Sequence, residues 1–517
     1  MRSAYGFVFL YGSVLGAIMQ PENLSRGTLY SMYKKPPKHV QRTRLAVLYS
    51  IMTLSVIAVV GVLVMIVANY RYNRATGTFE QSGLVQFAST PSAATVEIDD
   101  TTLTSRTSTK SSVRPGEHRF AVWREGYQTW ISTTTIPSGS LVWLNYVRLV
   151  PKERPVEVLH EYKSVTAALP SPDNRAIIAQ LDVTQPEFRR IDITRETVTG
   201  AMLALPEQAY KLTEDEEKNA IPVTYSLDSW DKSGRYMTVW RHAGEARELI
   251  VLNVEHPERS VNVSREFSIP VDAAVFSGRS GNVLYVRTDA AVRKIDISGG
   301  TVTRSLIDNV AKFNLQDDTV TYISRPDETT GIRAVGVYRD GDDAPTALKS
   351  IHNAKTPVAI ASHSYYGETY TVISEGKKVA IYKGHYDKGL DGLKTVASYT
   401  LKSDIESVEF NDTGAQIVLR AGDVLASYDI DRRLLHRSDV AVGSARDMFW
   451  IDSMHLGSIA NGELSMRDLD GTNSFTLNPA LGDGKSAVLS RNGTYMYSFS
   501  AGKDGTVQLQ RIRMILK

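Results

Sequence analysis

The chain has 517 residues, of which 42% are hydrophobic and 22% charged, and its formal net charge is +2. A charge this close to zero argues against the dense basic surface that nucleic-acid binding requires. No cysteine is present, which excludes disulfides, thiolate nucleophiles and cysteine-ligated metal clusters. We therefore expect a folded protein with no nucleic-acid partner.

An apolar run begins at Leu45 and ends at Ala68, with no charged residue inside it. A helix of this length covers roughly 36 Å, more than the ~30 Å hydrocarbon core of a bilayer. The run predicts a single transmembrane helix at 45–68, and the partner implied by it is a cell membrane.

The charges beside this run predict its orientation. The short arm at 1–44 is rich in Lys and Arg, whereas only Arg71 and Arg74 precede Glu80. Short basic segments are retained in the cytoplasm. The N-terminus should therefore be cytoplasmic and the large C-terminal part extracytoplasmic.

A second apolar run, at 4–19, is short for a membrane span. No small-residue cleavage site of a secretory signal follows it. Two interpretations stay open: a segment lying at the membrane surface, or an upstream extension with translation starting at Met19 or Met32. The second, in which residues 1–30 result from a mis-assigned start, is favoured slightly.

Short alternating stretches follow a linker at 69–82. They are separated by Pro and Gly and predict a small antiparallel β-sandwich at 83–150. Residues 101–112 are expected to form a polar tip. We expect Trp123, Trp130 and Trp143 to lie in the core of the sandwich. His118 is expected to form a hydrogen bond in a turn.

Four motifs occur in order along this stretch: S-T-P-S-A-A at 89–94, V-E-I-D at 96–99, R-P-G-E-H at 114–118 and G-Y at 126–127. Together they resemble the PEGA domain family, whose pattern is similar to S-x-P-x-x-A-x-V-x-(I/V)-D followed by P-G-x-H and G-Y. The resemblance implies a binding or spacer module of bacterial surface proteins, without catalytic residues. The chain departs from the pattern after the aspartate, where T-L-T-S-R-T-S-T-K-S-S replaces the usual Gly and Thr-Pro.

The remainder, 155–517, is a mainly β segment with an internal repeat. Its units start near residues 165, 224, 272, 311, 358, 405, 444 and 485. Four short strands per unit at a spacing of about 46 residues are typical of β-propeller blades. Eight blades are favoured and seven are the alternative. The turns, most closely S-P-D-N at 171–174, resemble those of WD-like and TolB-like propellers.

Two details of this segment follow from the repeat. The last unit supplies only three strands, so residues 156–162 are predicted to join it as the outermost strand and to close the ring. The charged stretch 212–220 interrupts the pattern, and we expect an inserted loop or a short helix there.

Motifs for chemistry are incomplete. Residues 479–486 approach a phosphate-binding loop, but Pro479 replaces its first glycine and a strand is expected where the loop needs a helix. The Asp-Gly turns at 340–343 and 468–473 lack the glutamate that closes an EF-hand loop. We expect no catalytic, cofactor-binding or metal-binding residue.

The sequence favours a bacterial, non-enzymatic, extracytoplasmic scaffold of the cell envelope, whose propeller presents a surface to a protein or glycan partner. The alternative is a membrane-tethered propeller enzyme, a hydrolase or lyase acting on envelope polymer. That enzyme would need carboxylates or histidines with shifted pKa values converging at the channel mouth.

Overall fold

The computed structural model describes residues 37–68, 70–73, 77–278, 281–386, 388–439, 448–482, 484 and 486–516. The expectations for residues 1–30 and for most of the basic arm lie outside these ranges, as does Lys485 of the incomplete phosphate loop. The chain divides into two compact units, Met1–Ser82 and Gly83–Lys517. Each unit is described by itself.

The first unit contains α1 (Lys38–Val67), which is long and apolar enough to cross a membrane, with a mean hydropathy of 2.7 over its most apolar stretch. The helix begins seven residues before the predicted Leu45. Lys and Arg are good helix formers, so Lys38, Arg42 and Arg44 extend the helix beyond the apolar run.

The segment 69–82, assigned to a linker from the sequence, carries a hairpin of β1 (Tyr70–Asn73) and β2 (Thr78–Gln81). Tyr72 pairs with Phe79, and their rings lie 5.3 Å apart. Tyr70 lies on the same face, and all three aromatic side chains are exposed. The Gln81 amide donates to the carbonyl of Ala68, the residue that ends α1, at 3.1 Å. The hairpin is thus tied to the helix terminus.

The second unit begins with a seven-stranded sandwich. Its strands are β3 (Gly83–Thr90), β4 (Thr95–Ile98), β5 (Thr101–Arg106), β6 (Thr109–Val113), β7 (Gly116–Trp123), β8 (Trp130–Ile136) and β9 (Leu141–Arg148). The two sheets have the orders β6-β3-β9 and β5-β4-β7-β8. Their inner faces enclose an apolar core that includes Phe87, Phe120 and Trp130.

Two expectations for this sandwich were wrong. The strands β3 and β9 pair in parallel, so the sandwich is not purely antiparallel. The tip at 101–112 is not a loop but supplies β5 and most of β6. This stretch is rich in threonine, which favours strands, and β6 completes the three-stranded sheet by pairing with β3 and ending at the buried Val113.

Eight four-stranded sheets follow in the described residues, which confirms the eight-bladed propeller over the seven-bladed alternative. Blades 1 to 4 are β11–β14 (Ala167–Pro170, Ala176–Gln180, Glu187–Asp192, Thr199–Ala204), β15–β18 (Val223–Trp230, Tyr236–Ala243, Ala246–Asn253, Val261–Asn262), β19–β22 (Ala273–Phe276, Val283–Thr288, Ala291–Asp296, Thr301–Val302) and β23–β26 (Val310–Gln316, Thr319–Ser324, Arg333–Arg339, Thr346–Ile351). Blades 5 to 7 are β27–β30 (Val358–Tyr365, Glu368–Glu375, Lys378–Gly384, Leu393–Thr400), β31–β34 (Ser407–Phe410, Gln416–Ala421, Val424–Asp429, Leu434–Asp439) and β35–β38 (Phe449–Asp452, His455–Ala460, Glu463–Asp468, Phe475–Pro479).

Blade 8 closes the ring as predicted. It consists of β39 (Val488–Leu489), β40 (Tyr495–Ala501) and β41 (Val507–Arg513), with β10 (Val156–Tyr162) as the outermost strand. The Arg511 guanidinium binds both carboxylate oxygens of Glu157, at 2.8 and 2.9 Å. Pairing β10 with β41 leaves no unpaired edge on the C-terminal strand.

The charged stretch 212–220 contains the short helix α3 (Glu214–Lys218), and nearby connections hold α2 (Glu207–Tyr210) and α4 (Val263–Glu266). Thr213 and Glu216 form a capping box on α3. The buried Arg241 of blade 2 binds both oxygens of Glu216, at 2.8 and 2.7 Å. This hydrogen bonding lowers the pKa of Glu216 to about 2. An ion pair therefore fixes the insertion on blade 2.

Ring closure generates the first prediction. Tyr162 of β10 packs in the core between blades 8 and 1, whereas Val158 on the same strand is exposed. In the isolated Gly83–Lys517 unit, Tyr162→Ala should lower the free energy of unfolding by about 2–4 kcal/mol, because it removes a large side chain from a packed core. The control Val158→Ala should change it by less than about 0.5 kcal/mol. Urea unfolding measures both, and equal effects would contradict the assigned closure.

Candidate functional site

The sandwich packs on one face of the propeller, over turns of blades 6 and 7. The Trp130 indole, itself 0% exposed, donates to the carboxylate of Asp468 at 2.7 Å. Asn473 forms two hydrogen bonds with the backbone of Ile131, at 2.9 and 3.0 Å. The turn 468–473, expected only to connect two strands, therefore docks the sandwich on blade 7.

A buried ionic network lies beside this contact. His455 of β36 is 2% exposed, and its Nδ1 lies 2.7 Å from an oxygen of Asp452. The other oxygen of Asp452 accepts from the Arg148 Nε, at the end of β9, at 3.1 Å. His455 Nε2 is 3.3 Å from Asp468 Oδ1, close enough for charge attraction. Arg148 of the sandwich thus meets Asp452 of blade 7, where His455 and Asp468 continue the network.

The protonation states follow from these partners. Burial alone would lower the pKa of His455, but the hydrogen bond to Asp452 and the charge of Asp468 outweigh it and raise the pKa to about 9. Burial alone would raise the pKa of Asp452, but His455 and Arg148 hold it well below its usual range. At neutral pH the network consists of charged groups that compensate one another.

The family motifs also have visible structural roles. His118 bridges Asp99 Oδ2 at 2.5 Å and the Arg114 carbonyl at 2.8 Å, so it fills the expected turn hydrogen bonds and links two motifs. The Tyr127 hydroxyl accepts from the backbone N–H of Leu516 at 2.7 Å. Gly126 has a φ of +82°, and a Cβ there would lie 3.0 Å from Leu516. Gly126 and Tyr127 therefore contact Leu516, which follows the last strand of the propeller.

An open cleft of about 640 Å³ lies between strands β8 and β9 of the sandwich and the turns of blades 5 and 6. Of the three tryptophans expected in the core, only Trp130 is buried; Trp123 is 41% exposed and Trp143 44% exposed. The core expectation was wrong for Trp143 because β9 alternates, and Trp143 points away from the core into this cleft.

The turn between β33 and β34 holds the two walls together. The Arg432 guanidinium donates to the carbonyl of Trp143 at 2.7 Å. In the same turn, Asp431 accepts from the Tyr365 hydroxyl at 2.7 Å. The Tyr365 ring in turn contacts Tyr366, with centroids 4.6 Å apart. One short turn therefore positions the aromatic side chains of both walls.

Tyr366 is the most unusual residue of the cleft. It occupies the tip of the β27–β28 hairpin with a φ of +47°, followed by Gly367 at +75°. Asn and Gly usually occupy such positions, because the left-handed region is unfavourable for bulky side chains. The side chain is nevertheless 87% exposed and so gains little from packing. Backbone strain of this kind concentrates at functional sites.

A second groove, of about 390 Å³, adjoins the cleft. The two share Tyr365, Tyr366 and Asp431, and the second continues over Tyr370 and Lys383. The aromatic cleft and this groove together form an extended depression, in which the Tyr365–Tyr366 pair is the ridge between the two parts. Sequence reasoning missed it because its residues come from strands more than 200 positions apart.

A third depression, of about 600 Å³, lies where the inner strands of blades 1, 6, 7 and 8 meet. Phe410, Trp450 and Asp452 line it. The lowered pKa of Asp452 suits a permanently charged partner of His455 rather than a proton donor. Within the described ranges, no group of three or more His, Asp or Glu side chains has an arrangement that could hold a metal ion.

The ionic network generates a pH prediction. Because the pKa of His455 is raised, its stabilisation is complete below about pH 6.5 and is lost as the pH rises through 9, a change of roughly 3 kcal/mol at most. Because the pKa of Asp452 is lowered, its contribution is present above about pH 4 and is lost as the pH falls further.

His455→Gln should therefore abolish most of the decline in stability between pH 7 and 10. The control His118→Gln, which removes a histidine–aspartate pair at a sandwich turn, should leave that decline intact. Thermal unfolding at a series of pH values measures both. An unchanged alkaline decline in His455→Gln would show that protonated His455 does not stabilise the fold.

The model of the PEGA domain matches residues 82–152. No curated protein sequence matches the chain. Similar solved structures include the C-terminal WD40 domain of Sif2, with 13% identity over 69% of this chain and 97% of that one and a TM-score of 0.45.

Two further solved structures are similar over a comparable share of the chain. One is U3-55K, with 12% identity over 69% of this chain and 98% of that one and a TM-score of 0.34. The other is the tricorn protease, with 12% identity over 70% of this chain and 38% of that one and a TM-score of 0.39. At such TM-scores the fold assignment rests on strand topology. The chain thus carries a PEGA domain packed on an eight-bladed β-propeller.

Proposed function

We propose that this protein is a membrane-anchored, extracytoplasmic scaffold of the bacterial cell envelope, which binds a protein or glycan partner in the aromatic cleft. The observation that carries the proposal is the exposed Tyr366, held in an unfavourable backbone conformation at the edge of an open cleft. The contact with the Tyr365 ring is a small gain for a tyrosine at a position that favours Asn or Gly. Contact with a ligand would account for it.

The cleft is suited to binding because its walls are prearranged. Arg432 links the turn of blade 6 to β9, and the Trp130–Asp468 and His455–Asp452–Arg148 contacts fix the sandwich beside it. A ligand that meets ordered side chains loses less free energy on binding than one that must order them. This rigidity supports the role of a scaffold.

The alternative of a hydrolase or lyase has less support. The aspartates of the cleft act as hydrogen-bond acceptors: Asp431 accepts from Tyr365, and Asp429 accepts from the side chain of Gln416 at 2.9 Å. A general acid needs a carboxyl group whose pKa is raised towards neutrality. Near the cleft, the pKa of Asp452 is instead held well below its usual range. Binding without chemical change is therefore the preferred proposal.

Membrane anchoring through α1 is supported by its hydropathy and by the aromatic face of the hairpin that follows it. Aromatic side chains favour the boundary between headgroups and hydrocarbon. The charge asymmetry of the flanks favours a cytoplasmic N-terminus. We propose that Tyr70, Tyr72 and Phe79 lie at the outer surface of the membrane.

This placement can be tested by spin labelling, since the chain has no native cysteine. In the full chain reconstituted in lipid bilayers, a label at Phe79→Cys should be accessible to oxygen and protected from a water-soluble nickel complex. A label at the neighbouring Thr78→Cys, on the opposite face of the hairpin, should show the reverse. Equal accessibility at both positions would refute the placement.

Binding can be tested with the full chain immobilised in nanodiscs and offered a solubilised envelope fraction. A partner should be retained without chemical change, and Trp143→Ala should weaken its retention at least tenfold, because truncation of a central aromatic anchor typically has this effect. Trp123→Ala, at a tryptophan of similar exposure outside the cleft, is the matched control. Recovery of a cleaved polymer would favour the enzyme instead.

A further inference from the structure

We propose that the ligand of the cleft is an uncharged polysaccharide, bound as a chain of pyranose rings that crosses the Tyr365–Tyr366 ridge. This inference rests on the proposed function and names the chemical class of its partner. Three features carry it: exposed aromatic faces, hydrogen-bonding groups beside them, and a balance of charge along the extended depression.

The aromatic residues are presented in a way that suits sugars. Trp143 is 44% exposed and Tyr366 87% exposed, so their rings remain accessible at the rim of the cleft. A pyranose ring has one face of C–H groups, which packs against the negative face of an aromatic ring. A peptide hot spot, by contrast, is an enclosed and desolvated pocket into which a side chain inserts. The open cleft favours flat, stacked contact.

Polar groups that match hydroxyls lie beside these rings. Asp431 is exposed and accepts from Tyr365 through Oδ2, and no hydrogen bond to its Oδ1 is present among the described residues. Asn145 of β9 is exposed, and with Thr134 and Thr135 of β8 it lines the opposite wall. Carboxylate, amide and hydroxyl groups together supply the donors and acceptors that adjacent sugar hydroxyls require.

The charges along the depression balance. The acidic residues that line the cleft and the groove are Asp429, Asp431 and Glu368, and the basic residues are Arg432, Arg433 and Lys383. A polyanion or a cationic peptide would be attracted by a surface of one sign. Mixed signs give no such attraction, so the favoured polymer is uncharged.

The size of the depression indicates a chain rather than a single sugar. The cleft and the groove measure about 640 and 390 Å³, and they meet at the shared Tyr365–Tyr366 ridge. A ligand that occupies both must cross this ridge. Affinity should therefore rise with chain length until both parts are filled.

The test uses the full chain in nanodiscs and three series of soluble neutral oligosaccharides, based on glucose, mannose and N-acetylglucosamine, from two to eight sugars long. Isothermal titration should show binding of at least one series, with affinity increasing with length. Trp143→Ala should weaken this binding at least tenfold, and the control Trp123→Ala should leave it within twofold.

Tyr366→Asn separates binding from folding. Asparagine tolerates a φ of +47° better than tyrosine, so this variant should unfold at an equal or higher temperature than the natural protein. Its affinity for the oligosaccharide should nevertheless fall at least tenfold, whereas Tyr366→Phe should keep most of it. A variant that binds normally without the ring would overturn the proposal.

The remaining outcomes separate this inference from the proposed function. If no neutral oligosaccharide binds but an envelope protein is retained through Trp143, the proposed polysaccharide ligand is wrong and the proposed scaffold function is supported. If a charged glycan is retained through Trp143, the proposal of an uncharged ligand is wrong, but the proposed scaffold function is still supported. If neither the binding of oligosaccharides nor the retention of any envelope component depends on Trp143, both proposals fail.

Discussion

Buried charge at the junction of the sandwich and the propeller is the constraint on which the arrangement of the cleft depends. Removing His455, Asp452 or Asp468 from water carries a large desolvation penalty, which is offset only when each charge meets its partner in the right geometry. Arg148 brings the sandwich into this network, and a displacement of the sandwich would separate its buried guanidinium from Asp452. The position of β9, and with it Trp143, therefore follows from electrostatics as much as from apolar packing.

The same reasoning explains the polar contacts of the junction, which lie beside apolar ones such as Val150 in the core of blades 7 and 8. An apolar contact of similar area would tolerate sliding, because hydrophobic attraction has no direction. Hydrogen bonds such as Trp130 to Asp468 and Arg432 to the Trp143 carbonyl fix both distance and orientation. A chain without disulfides thus obtains a single orientation of its two modules through directed polar contacts.

Periodicity in the sequence was sufficient to predict the eight blades, the sandwich and the strand that closes the ring, because each depends on alternation and turn residues within short stretches. The pairing of β3 with β9 and the strands at 101–112 were missed, since a threonine-rich stretch shows little apolar alternation. The cleft could not be predicted. Trp143, Tyr366 and Arg432 are brought together only by the folded ring, although an aromatic residue before Gly367 in a hairpin turn was a signal that could have been noticed.

Ring closure by β10 has a mechanical consequence. The outermost strand of the last blade is also the strand that joins the propeller to the preceding sandwich. Were the chain anchored at its N-terminal side and pulled through a ligand on the propeller alone, the whole force would cross the polar junction and β10, the strand that closes the ring. A ligand in the cleft touches the sandwich as well. Part of the tension then passes directly into the sandwich, which lowers the load on the closing strand.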